Sequence, residues 1–124
     1  MRVLLLCVFP FFIQGQINWQ KKDLPKFENL FIEKIAEDSL QSTFFIAIKK
    51  QVIHHYHKEH SECIVVLSGK GEMTVGEQKV ILKHGVQINI PKNTIHAVTV
   101  TSKKPLRVIS IQSPMFDGKD RHFP

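Results

Sequence analysis

Cysteine is nearly missing from this chain: Cys7 and Cys63 are the only two. Long apolar runs are missing as well. The longest candidate, Val3 to Ile13, falls short of the about 20 apolar residues that a transmembrane helix needs. It follows Met1-Arg2 and gives way to Gln14-Gly15-Gln16, the pattern of a short secretory signal cleaved after Gly15. Residues 1–15 are therefore expected to be a signal peptide, in preference to a core strand containing Val3 to Val8. The remaining chain is then extracytoplasmic, periplasmic or secreted, with no stable membrane span. Cleavage would also remove Cys7 and rule out an intrachain disulfide. Cys63, left alone, is expected to be a small hydrophobe rather than a nucleophile, since nothing nearby would lower its pKa.

Other absences narrow the function. The net charge is +6, yet the lysines come as scattered pairs, Lys21-Lys22, Lys49-Lys50 and Lys103-Lys104, with no basic stripe interleaved with exposed aromatics. Nucleic acid is thereby excluded as a partner. No tandem repeat, low-complexity tract or second domain is visible, and the length suits one domain with a real core.

What the chain does contain is a succession of short β-rich segments. Residues 16–41 read as a polar N-terminal arm with Pro25, in which Phe27 to Ala36 favours a strand over a helix, followed by a turn at Asp38-Ser39. Strands are expected over Ser42 to Lys49, Glu62 to Leu67, Glu72 to Val75, Lys79 to Leu82, Val86 to Ile90, His96 to Val100 and Leu106 to Gln112. Gly76-Glu77 suits a tight hairpin, and Pro91 to Thr94 another turn. Such spacing indicates an all-β sandwich or barrel over residues 42–112, with an irregular tail at 113–124.

The densest chemistry lies in His55-Tyr56-His57-Lys58-Glu59-His60-Ser61-Glu62. Side chains on a strand alternate with period two, so His55 and His57 share a face and can reach one ion. The polar residues after His57 can turn the chain back and bring Glu62 onto an antiparallel neighbour, roughly opposite the pair. Imidazole and carboxylate ligands suit a divalent transition metal: Mn, Fe, Co, Ni, Cu or Zn. His54 should face outward, His60 should be solvated in the turn, Tyr56 should pack outside the site, and Cys63 should point away from it.

These residues resemble the cupin superfamily, in particular small single-domain cupins of the type-2, phosphomannose isomerase-like kind. The first motif runs His55-x-His57, four residues, Glu62, six residues, Gly69, and the second runs Gly85, five residues, Pro91-x-Asn93, two residues, His96. Lys49, Asn93 and Val100 stand where the family pattern has glycine, glycine and asparagine. Asparagine tolerates a left-handed backbone, so the turn at Asn93 should survive.

The resemblance implies a small antiparallel jelly-roll β-barrel with a metal held by His55, His57, Glu62 and the fourth ligand, His96. Ile64, Val66, Val98 and Val100, which alternate in phase with Glu62 and His96, should then line a narrow aliphatic cavity. Two functions follow. One is a metal-dependent enzyme acting on a small oxygen-rich molecule as a dioxygenase, decarboxylase or sugar isomerase. The other is a non-catalytic extracytoplasmic module that binds a metal or small ligand. No catalytic side chain beyond the ligands is recognisable, no phosphate-binding cluster is evident, and a homodimer is a reasonable expectation. The tail, through Pro114-Met115-Phe116, offers a cover for one barrel opening.

Overall fold

The computed structural model describes residues 16–124; the expected signal segment, residues 1–15, lies outside the described residues. Nine strands follow one another: β1 Leu30–Asp38, β2 Gln41–Ile48, β3 Gln51–His55, β4 Ser61–Ser68, β5 Gly71–Val75, β6 Gln78–Leu82, β7 Gln87–Ile90, β8 His96–Val100 and β9 Leu106–Ser113. They form two antiparallel sheets, ordered β1-β2-β9-β4-β7 and β3-β8-β5-β6. Their inner faces enclose the core, the arrangement of a jelly-roll barrel. Among the described residues no helix is long and apolar enough to cross a membrane.

The alternation read from the sequence determines which side chains point inward. On β4, Glu62, Ile64 and Val66 are buried, and on β9 Leu106, Val108, Ser110 and Gln112 are buried in the same phase. Met73, Leu82, Ile88, Ile90 and Val98 close the core from the other strands. The arm carries one strand, Leu30–Asp38, which lies further towards the C-terminus than the segment Phe27 to Ala36 and ends where Asp38 Oδ1 accepts the amides of Leu40 and Gln41.

β2 is buried on both faces because the arm folds back over the sheet. Phe44, Ile46 and Ile48 face the interior, while Phe45 on the outer face meets Trp19 at 5.1 Å and Phe31 at 6.3 Å between ring centroids. Arg107 holds the arm there, donating to the carbonyl oxygens of Gln20 and Lys22 at 3.1 and 2.7 Å.

Two motif positions have visible backbone reasons. A Cβ on Gly69, whose φ is +82°, would sit 2.7 Å from both Leu106 Cα and the Pro105 carbonyl oxygen. Only glycine lets these two chain segments approach so closely. Asn93 adopts φ 59°, so asparagine does take the left-handed turn, and its amide donates to the His57 carbonyl at 2.6 Å.

Candidate metal centre

Three elements converge at one end of the barrel. His55, the last residue of β3, pairs in register with His96, the first of β8, and their ring centroids lie 4.1 Å apart. His57 follows two residues on and keeps the phase of the alternation, so all three rings are buried together. One ring nitrogen from each lies within 4.8 Å of the other two. These three histidines are positioned to bind a metal ion.

Glu62 reaches the cluster by a different route from the one its sequence position implies. β3 pairs with β8, whereas β4 pairs with β7 and β9, so Glu62 is not on the hydrogen-bonded neighbour of the histidine strand. It comes across from the facing sheet. Its Oε2 lies 3.5 Å from His57 Nε2 and 3.4 Å from His96 Nε2. Two facing sheets thus aim their inward side chains at one point, which a flat antiparallel pair would not do.

The orientation of each imidazole is fixed by its other nitrogen. His55 Nδ1 donates to the Ile53 carbonyl and His96 Nδ1 to the Thr94 carbonyl, both at 2.9 Å, and His57 Nδ1 donates to the Asp120 carbonyl. With the proton on Nδ1, each neutral ring presents the Nε2 lone pair to the centre. Nε2 of His57 and of His96 are buried and make no hydrogen bond. Buried polar atoms are rarely left without a partner, and both of these nitrogens face the Glu62 carboxylate instead.

The electrostatics suit a cation. Burial, reinforced by the neighbouring His96, Arg121 and His57, pushes His55 down to about 4, against its backbone bond to Ile53. Burial also acts to lower His57, but the neighbouring Glu62 carboxylate and the bond to the Asp120 carbonyl outweigh it and leave the ring raised. Burial alone would raise Glu62; His57, His96 and a hydrogen bond from Ser110 Oγ reverse this and hold the carboxyl well below the usual carboxylate range. The carboxylate is therefore charged and ready at neutral pH.

Two side chains in the tail belong to the site and were not legible beforehand. Asp120 accepts the amides of Lys58, Glu59 and His60 at 2.9, 2.8 and 3.0 Å, and binds the rings of His60 and His122 as well. It thereby caps the turn joining His57 to Glu62. His60 is consequently buried, with its second nitrogen donating to the Met115 carbonyl at 2.8 Å, and is not the solvated turn residue expected. Arg121, next in the chain, lines the interior cavity. His54 is exposed as expected, and Cys63 faces away from the cavity and meets Gln87.

The cavity extends from the histidines between the sheets and has a volume of ≈ 250 Å³. Ile46, Ile48, Val52, Ile64, Val98 and Val108 give it aliphatic walls, and the tail contributes Phe116 and Arg121. Residues 44–112 match the family model described as the cupin domain. The chain belongs to the cupin family. An uncharacterised protein of Aquifex aeolicus is 38% identical to this cupin over 93 residues, which is 75% of this chain and 76% of that one. Mannose-1-phosphate guanylyltransferase RfbM of Salmonella typhimurium is 40% identical over 68 residues, 55% of this cupin but 14% of the transferase. Among solved structures, KdgF from Halomonas sp. superposes with a TM-score of 0.71 at 19% identity, covering 82% of this cupin and 94% of that chain, a likeness of fold.

Proposed function

We propose that this cupin holds one divalent transition metal through His55, His57, His96 and Glu62 and acts on a small oxygen-bearing molecule admitted to the aliphatic cavity. The observation that carries this reading is the pair of buried, unpartnered Nε2 atoms on His57 and His96, each facing the charged Glu62 carboxylate. The donor spacing fits. Bonds of about 2.1 Å to a shared ion put two ligand atoms about 3.0 to 3.4 Å apart, and the two Glu62 separations are 3.5 and 3.4 Å. When bound, such a metal polarises a carbonyl or carboxylate, activates water, or, if redox-active, engages dioxygen.

The protein residues bind and orient. Nδ1 of each histidine holds its proton on a backbone carbonyl, Ser110 fixes the unused oxygen of Glu62, and the aliphatic walls exclude water. Beyond these groups the described lining contains no aspartate, lysine, tyrosine or further histidine that could carry a proton. A sugar isomerase must move a proton between carbons, and a sugar must have its hydroxyls satisfied by polar walls. Both demands fit this cavity poorly. Decarboxylase and dioxygenase chemistry, in which the metal carries most of the work, fits better. A non-catalytic binder of a metal or small ligand would have the same lining, so turnover decides between the two.

Protein purified without chelators is expected to contain about one transition-metal ion per chain. His57→Ala and His96→Ala should lose it; equal metal content in all three by elemental analysis would sink the site. The loaded protein, offered small carboxylates, diols and sugars under air, should consume oxygen or release carbon dioxide with a carboxylate. Binding without turnover across that panel would establish the non-catalytic reading instead.

A further inference from the structure

Arg121 has no role in holding the metal, yet one of its polar atoms is buried without a partner. Arg121 is half-buried and lines the aliphatic cavity; its Nε is buried without a hydrogen-bond partner, its guanidinium carbon lies 5.6 Å from the Phe123 ring centroid, and the side chain makes no ion pair with a described residue. Burial pushes it below the ordinary arginine value, and only the distant attraction of Glu62 opposes this. A buried guanidinium N–H left without an acceptor carries a desolvation cost that an arriving carboxylate would relieve. Gln112, which lines the same cavity, has its Oε1 buried and unpartnered as well. Gln112 sits beside Glu62 in the register of β4 and β9, on the face that points inward.

We propose that Arg121, with Gln112 beside the metal end, anchors the carboxylate of the ligand, and that the natural ligand is a short monocarboxylic acid with an apolar remainder. This rests on the metal-dependent reading above and narrows it. The charge matches one anion: the cavity offers a single guanidinium, whose fork suits the two oxygens of a carboxylate, whereas a phosphate dianion would need more donors. The size matches too. A cavity of ≈ 250 Å³ corresponds to about eight water volumes of ~30 Å³, room for a small molecule only. With the carboxylate on Arg121 and the side chain against Ile46, Ile64 and Val108, a second oxygen function of the acid is left to face the histidines. Gln112 can turn its amide to donate to that acid or to accept from a hydroxyl.

The probe pair is α-ketoisocaproate and its primary amide, equal in shape and differing in charge. Titration calorimetry on the full chain, with and without added metal, should show the acid bound at least about tenfold more tightly than the amide in both forms. Arg121→Gln should erase the preference and Arg121→Lys should keep part of it. The Arg121 Nε–H resonance of the wild-type protein should shift on adding the acid and not the amide, a readout that needs no variant to fold. Equal binding of acid and amide, binding of neither, or a preference surviving in Arg121→Gln would each overturn the anchor. Because the metal-free titration does not depend on the histidines, a wild type that holds no metal but prefers the acid would sink the metal reading alone. A metal-loaded wild type without the preference would sink the anchor alone.

Discussion

The backbone carbonyl of Asp120 accepts the Nδ1 proton of His57, a hydrogen bond between residues 63 positions apart. The carboxylate of the same residue caps three successive amides between His57 and Ser61. One tail residue therefore sets both the tilt of an imidazole and the shape of the turn that carries the chain to Glu62.

Asp120→Ala is expected to uncap the turn while leaving the carbonyl in place. The three amides and the buried His60 would lose their acceptor, costing about 2 kcal/mol in stability by chemical denaturation. Metal affinity should fall by about tenfold or more, as when a group that orients a metal-binding histidine is removed. Asp120→Asn should be milder, because an amide oxygen still accepts. Competition with a coloured chelator would measure the affinity.

Removal of Arg107 is expected to release the arm. Its guanidinium ties Gln20 and Lys22 to the sheet, and Trp19 lies on Phe45 beside them. Since Trp19 is the only tryptophan, Arg107→Ala should red-shift the intrinsic fluorescence of the folded protein. The loss in stability should be about 1 to 3 kcal/mol. The cavity lies on the opposite face of the sheet, so metal content should be unchanged.

The metal-free chain is expected to lose stability on acidification. His55 binds its proton near pH 4 when folded and near 6.5 when unfolded, so between these values the unfolded state takes up the proton first. Stability should therefore fall as pH drops from about 6.5 to about 4, by at most about 3 kcal/mol from this residue. Glu62 and Asp120, both depressed, add to the loss as pH falls further, through and below the ordinary carboxylate range. His57 has the opposite sign: its raised value stabilises the fold below about 6.5 and the benefit is lost as pH rises through the folded value. Calorimetric melting in chelator should thus peak near pH 6.5 and fall more steeply on the acid side. His55→Gln should remove the first part of that acid slope.

At Asn93 the backbone is the object of the test. Its φ of 59° is tolerated by asparagine, so Asn93→Gly should be close to neutral. Asn93→Val should cost about 1 to 2 kcal/mol, the penalty for a β-branched residue in a left-handed conformation. It should also disturb metal binding, because the Asn93 amide is bonded to the carbonyl of His57. Urea denaturation of the two variants would separate the effects.

Much of the barrel was legible in the chain because period-two alternation and turn chemistry are local. The phases of Ile64 and Val66 on β4 and of Val98 on β8 could be read directly, and so could the asparagine turn. Glu62 was correctly placed near the histidines, yet by the wrong geometry, since local sequence does not tell a hairpin neighbour from a strand in the facing sheet. Asp120 and Arg121 left no local trace. They lie in a tail without strand periodicity, and their partners are some 60 residues away. Nothing in the spacing of His60 announces its burial either, because the acceptors that bury it, Asp120 and the Met115 carbonyl, come from that tail.

The split of the site between sheets has a kinetic meaning. His55 and His96 stand on one sheet and Glu62 on the other, with no backbone ladder joining the two layers at that point. Separation of the layers would have to break every bond to a shared ion at once. Amide exchange in β3, β8 and the β4 end nearest Glu62 should then slow together when the ion is added, while the β5–β6 hairpin at the far edge keeps its own faster rhythm. The ion would act as a latch on the barrel's breathing, and the acid that enters the cavity would have to pass while that latch is shut.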